Sequence, residues 1–200
     1  MENNNIQFNV LNPFNDDIVE SVDNMSRSKI HEVLSDSLNY QCNLSAEERS
    51  EILLKTAEHL KKNTKSLARL ISLESGLSLQ DTIYEVGRVV NCARYSAKVC
   101  SLVEKDTTSE YVLDEVNSPQ LTVVNEPLDL IVGITPFNHP MNQVAHKIFP
   151  AIAAGASIVI KPSEKTPLSA LKLAEILLEC GLPKHMVSVV TGLDPLVILD

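Results

Sequence analysis

Glycine is scarce in this chain. It holds six in 200 residues, and no Gly-x-Gly-x-x-Gly among them, so the usual glycine-rich cradle for a dinucleotide is missing. Cysteine offers little more: Cys42, Cys92, Cys100 and Cys180 have none of the spacings of a metal clip and read as reduced, partly buried thiols of a cytoplasmic protein. No apolar run approaches a membrane span, and the polar start, residues 1–10, lacks the apolar core of a signal peptide. There is no internal repeat, and no low-complexity segment beyond a short Asn run. Positive charge is also short. Seventeen Lys and Arg against 26 Asp and Glu give a formal net charge of −9, which disfavours nucleic acid and anionic membrane as partners. It leaves room for a local basic pocket that takes an anionic substrate.

What is present is an ordinary globular composition, 44% apolar, long enough to bury a real core as one domain, or one domain with an appendage. The chain is organised around residues 128–167. Leu130, Ile131, Val132 and Ile134 form a short apolar run stopped by Thr135-Pro136, the look of a buried parallel strand. Asn138, His139 and Pro140 make a turn. Met141, Val144, Ala145, Ile148 and Ile152 then recur at helical spacing. Residues 157–160 are β-branched and apolar again, and Lys161-Pro162-Ser163-Glu164 ends that strand. A strand, a helix and a second parallel strand make a βαβ unit with a right-handed crossover. Both polar turns then fall at the carboxyl ends of adjacent strands, where open α/β sheets bind ligands.

Two constellations occupy that edge. The Asn138 amide can donate to a developing oxyanion, or can cap the helix that follows. Lys161 can reach a phosphate or ribose and Glu164 can accept from ribose hydroxyls, or both can belong to a solvated charged turn.

From the start of the chain, Asn12-Pro13-Phe14-Asn15-Asp16-Asp17 is a turn cluster between two short apolar pieces. Residues 28–38 predict a short helix. Ser45 with Glu48 is a capping box opening a helix with Ile52, Leu53, Ala57 and Leu60 on one face. Residues 67–73 continue helically to a glycine stop at Gly76. A third helix spans about 79–99 and carries Arg88, an exposed helix arginine in its plain reading. Residues 111–116 and 121–124 flank Asn117-Ser118-Pro119-Gln120, a hairpin signal. An amphipathic helix at 167–179 ends at Gly181, and residues 186–190 read as a third parallel strand.

The segments ITPFNHP, NQVAHKIFPAIAAG and VIKPSEKTPLSAL resemble the aldehyde dehydrogenase superfamily, and the resemblance runs from about Val10 to Asp200. It implies an α/β fold: the N-terminal part of a Rossmann-type cofactor domain with parallel βαβ units and a β-hairpin oligomerisation arm. The NAD-binding domain then comprises residues 1–109 and 128–200, and the arm residues 110–127. The resemblance makes Asn138 the oxyanion-hole residue. It gives Ile134, Thr135, Pro136 and Phe137 to the lining around NAD, Lys161 and Glu164 to its adenosine ribose, and Ser163 to the cofactor-binding set. Glu164 would crowd a 2′-phosphate and so favours NAD over NADP. Members of this family bind NAD without the glycine fingerprint.

Within the family, LISLESGLSLQDTIYEVGRVV and NHPMNQVAHKI look most like phosphonoacetaldehyde dehydrogenases. That implies a small anionic aldehyde held by the fork of Arg88 and the imidazole of His139; His146 is taken as structural. The resemblance also implies a homo-oligomer. It departs after the third strand, where Gly192 is followed by Leu193-Asp194-Pro195-Leu196 instead of a second glycine. None of the four cysteines lies in the nucleophile's context, and no general-base glutamate is matched. The sequence therefore reads as the N-terminal portion of an NAD-dependent enzyme that turns phosphonoacetaldehyde into phosphonoacetate. Lactaldehyde, glycolaldehyde and semialdehydes are the alternatives. A reading of another class is a catalytically inactive half-domain that binds or assembles through its arm.

Overall fold

The computed structural model describes residues 7–105, 108–112, 120–124, 126, 128–194 and 198. Three parallel strands form the central sheet: β5 (Leu130–Ile134), β6 (Ser157–Lys161) and β7 (Val187–Val189), in that spatial order. Two helices make the crossovers, α5 (Pro140–Ala154) and α6 (Leu168–Glu179). Crossovers of one hand put both on the same face. β6 is central and fully buried, which is why it reads as an unbroken apolar run. Its Ile158 and Ile160 join the main core, while Val159 packs on the other face with Ile30 of α1 (Arg27–Asn39) and with Val190.

A second helical layer lies outside α5 and α6. It contains α2 (Ala46–Lys62), α3 (Thr64–Ser75) and the long α4 (Leu79–Lys105), whose buried stripes share one core with α5 and β6. The capping box of α2 forms in full: Ser45 Oγ accepts from Glu48 N at 3.2 Å, and Glu48 Oε2 accepts from Ser45 N at 2.8 Å. The N-terminal hairpin of β1 (Gln7–Leu11) and β2 (Ile18–Asp23) lays Phe8, Val10 and Val22 on Leu168 and Leu70. A separate antiparallel pair, β3 (Thr108–Val112) and β4 (Gln120–Val124), follows α4.

Several elements depart from the sequence reading. Helicity does not run unbroken from α2 through residues 67–73: Asn63 stands between α2 and α3 with a non-helical φ of −102 and ψ of 17, and its side-chain amide donates to the His59 carbonyl at 3.0 Å. α4 continues past residue 99 to Lys105, and β7 is shorter than 186–190. β3 starts at Thr108, earlier than the strand expected at 111–116, and the turn at 117–119 lies outside the described residues. The largest departure is β5. It was expected to be buried, yet Val132 and Ile134 are each 42% exposed. Gly133 points at α5, close against Ile160 and Lys147, so Val132 and Ile134 point to the other face, where Leu130 packs beside the Ile30 cluster of α1 but the carboxyl end of β5 is left exposed among these residues.

Candidate functional site

The carboxyl ends of β5 and β6 bring the two expected turns together. Thr135 N donates to the Lys161 carbonyl at 3.1 Å, extending the ladder past the strand ends, and Thr166 Oγ1 donates to the Phe137 carbonyl at 3.4 Å. Lys165 Nζ lies 5.1 Å from the centroid of the exposed Phe137 ring. A cleft of about 540 Å³ opens here, lined among others by Leu11, Pro13, Glu74, Phe137, Glu164 and Leu193. A second cleft, about 460 Å³ between Tyr40, Asp129, Gly155 and Ser157, lies at the opposite edge of the sheet, away from both turns.

Lys161 is not part of a solvated turn. It is among the most deeply buried side chains, and its Nζ donates to the Pro162 carbonyl at 2.8 Å. Burial pushes its pKa down, while Glu164 and Asp194 pull it back up. An ammonium has three donors, so a cation held by one carbonyl retains capacity for a further acceptor. Half-buried Glu164 stands beside it, its Oε2 accepting from Ser163 Oγ at 3.4 Å. A donor and an acceptor side by side suit a vicinal diol such as ribose. Ile134 and Phe137 add exposed apolar surface at the same edge. These residues fit an adenosine dinucleotide.

Asn138 is exposed and makes no hydrogen bond among the described residues. The capping role the sequence allowed it is not realised. The N-cap of α5 is His139, in the left-handed region at φ 50, and Pro140 at N1 has no N–H to satisfy. The first free amides meet Glu85 of α4 instead. Glu85 Oε1 accepts from Asn142 N at 3.0 Å, with the Met141 amide also favouring the carboxylate, and Oε2 lies 3.3 Å from His139 Nδ1. The Glu85 side chain is 1% exposed and that of His139 45%. Burial pushes the Glu85 carboxyl up, opposed by the Asn142 amide and by His139.

Glu74 of α3 does the same for α6. Its Oε2 accepts from Leu168 N at 2.8 Å, and its Oε1 accepts from Ser169 N at 2.9 Å and from Ser169 Oγ. Burial lifts its pKa to about 7 against those donors. Sequence reasoning missed both glutamates. The signal was present: each is in phase with the buried stripe of its helix, Glu74 after Leu67 and Ile71, Glu85 between Thr82 and Val89, where a carboxylate needs a partner from another element.

Arg88 lies one turn beyond Glu85 on α4. It is exposed, with no hydrogen bond or ion pair among the described residues. His146 is exposed, with Nδ1 3.7 Å from the Cys92 sulfur. All four cysteines are free, and burial pushes the thiols of Cys92 and Cys100 up, away from nucleophile chemistry. Cys180 is the C-cap of α6, packed against the main core.

Comparison with known proteins gives a consistent set. A family profile described as the aldehyde dehydrogenase family matches residues 1–197. Aspartate-semialdehyde dehydrogenase 1 of Pseudomonas canavaninivorans is 39% identical over 186 residues, 92% of this chain and 40% of that protein. 3-Sulfolactaldehyde dehydrogenase of Priestia megaterium is 37% identical over 145 residues, 72% of this chain and 30% of that protein. Among solved structures, PnpE of Pseudomonas sp. WBC-3 in complex with nicotinamide adenine dinucleotide is 30% identical with a TM-score of 0.84, covering 93% of this chain and 38% of that one. The chain thus spans two fifths or less of the length of these relatives.

Proposed function

The chain belongs to the aldehyde dehydrogenase family, and on that premise we propose that the complete enzyme oxidises a small anionic aldehyde to its acid with NAD. Phosphonoacetaldehyde is the preferred substrate; lactaldehyde, glycolaldehyde and semialdehydes are the alternatives. The observation that carries the reading is the pairing at one sheet edge of an uncommitted amide, Asn138, with a buried ammonium, Lys161. Lys161, Ser163 and Glu164 would hold the adenosine ribose, and the 134–137 turn would line the rest of the cofactor. NAD, when bound, supplies the hydride acceptor. Asn138 donates to the aldehyde oxygen as it gains negative charge. No thiol among the 200 residues has the setting of the nucleophile, so these residues alone are expected to form no NADH.

Arg88 and His139 are proposed to bind the anionic group. Both lie beside the α4–α5 contact, and Arg88 has no competing carboxylate among the described residues. Relatives named for aspartate semialdehyde and 3-sulfolactaldehyde favour an anionic substrate, whereas one named for betaine aldehyde points to a cationic one, so the anion reading rests on Arg88 and His139. The test is NADH formation by the complete enzyme with phosphonoacetaldehyde and with a neutral aldehyde of similar size. Arg88→Ala is expected to raise KM for the anion about tenfold or more and to leave the neutral substrate within about twofold. Equal losses on both would refute the anion site.

A further inference from the structure

Glu85 caps α5, and it also holds the residue that precedes the helix. It is a buried carboxylate sent from α4 across to α5, and it binds on both sides of Pro140. One oxygen takes the Asn142 amide at 3.0 Å and the other meets the His139 ring at 3.3 Å. Between those anchors His139 adopts a left-handed backbone, φ 50, uncommon for a residue with a side chain. Asn138 is the next residue outward, exposed and without a partner. With no contact of its own among the described residues, the Asn138 side chain depends for its placement on the backbone it shares with His139. A side chain that must donate to an oxyanion at fixed geometry needs such support from its neighbours.

We propose that Glu85 is a positioning residue: by gripping the His139 ring and the first turn of α5 together, it fixes the backbone from which Asn138 presents its amide to the reacting oxygen. This rests on the reading of Asn138 as the oxyanion donor. Glu85 touches neither substrate nor cofactor in this role. The same grip leaves the outer side of the His139 ring facing solvent, where the proposed anion contact is made.

The test is a mutant cycle in the complete enzyme, run with a neutral aldehyde so that the proposed anion contact of His139 does not contribute. Asn138→Ala is expected to lower kcat by about 100- to 1,000-fold. Glu85→Ala is expected to lower kcat about 10- to 100-fold, the scale of a misplaced catalytic group, with the dissociation constant for NAD unchanged by fluorescence titration. Added to Asn138→Ala, it is expected to change kcat by no more than about threefold. Glu85→Gln keeps an acceptor for the Asn142 amide, and a neutral imidazole can retautomerise to accept from its NH2, so it is expected to restore kcat to within about threefold of wild type. If Glu85→Ala does not fold, His139→Gly replaces it, since it frees the swivel while leaving the Asn142 contact in place; the same loss and the same non-additivity are expected. Full multiplication of the two losses, or an undiminished kcat in both the Glu85 and the His139 variant, would overturn the positioning role while leaving Asn138 catalytic. An undiminished kcat in Asn138→Ala would overturn the oxyanion reading itself, and the proposal with it.

Discussion

At Glu74 burial and hydrogen bonding pull one carboxyl in opposite directions, and burial prevails: the pKa rises from 4.5 to about 7. The folded state therefore holds this proton more tightly than the unfolded chain. The stabilisation linked to it is fully present below about pH 4.5 and is lost as pH rises through about 7. Its size is on the order of 3 kcal/mol. Glu74→Gln is expected to flatten that part of the stability profile, measured by urea denaturation of the complete enzyme across the window from pH 4.5 to about 7; an unchanged slope would count against the assignment. The residue scale is also where the sequence was hardest to read. The positions of Asn138, Lys161 and Glu164, at or just after the carboxyl ends of β5 and β6, were legible because the apolar strand runs stop there. Glu74 and Glu85 were not, because their partners are 94 and 57 residues away. Asn138 shows the same limit from the other side: its cap role looked open until a carboxylate from α4 was seen to fill it.

Element boundaries were legible wherever the signal is local. The Ser45 capping box lies within four consecutive residues, and Gly76 ends α3 with φ 74, its N–H donating to the Ser72 carbonyl at 2.9 Å. A Cβ at Gly76 would meet Pro13 Cγ of the N-terminal turn at 2.8 Å. Gly76→Ala is accordingly expected to cost more than the roughly 1–2 kcal/mol of a left-handed alanine, since Pro13 must move as well. Chemical denaturation checks this, and a loss under about 1 kcal/mol would mean the turn yields freely. Burial of β5 was not legible locally. Its apolar run is the same whether or not a helix covers both faces, and the α1 cluster reaches Leu130 while Val132 and Ile134 stay exposed among these residues.

At the scale of the molecule, the alternation of strand and helix from residue 128 onward dictated the parallel sheet and put both polar turns at its carboxyl edge, because crossover handedness leaves few alternatives. The helical layer of α2, α3 and α4 was legible as helices but not as a layer, since amphipathic stripes do not say which surface they meet. The β3–β4 pair forms a sheet of its own, with both outer edges unpaired among the described residues. Such edges favour pairing with another chain, which supports the proposal of a homo-oligomer joined through residues 110–127. Replacing that segment by a short flexible linker in the complete enzyme is expected to lower the mass found by light scattering to that of a smaller assembly. An unchanged mass would move the interface elsewhere.

The two crossover helices do not cap themselves. α5 and α6 each begin on a carboxylate lent by the outer layer, Glu85 from α4 and Glu74 from α3. The strand-and-helix unit that carries both polar turns is therefore not a portable module. Excised or grafted without its outer helices, it would keep every residue of both turns and lose the anchors at the start of both helices. Moved into another protein, the unit would need the helices ahead of it in the chain to travel with it, or new carboxylates to replace Glu85 and Glu74.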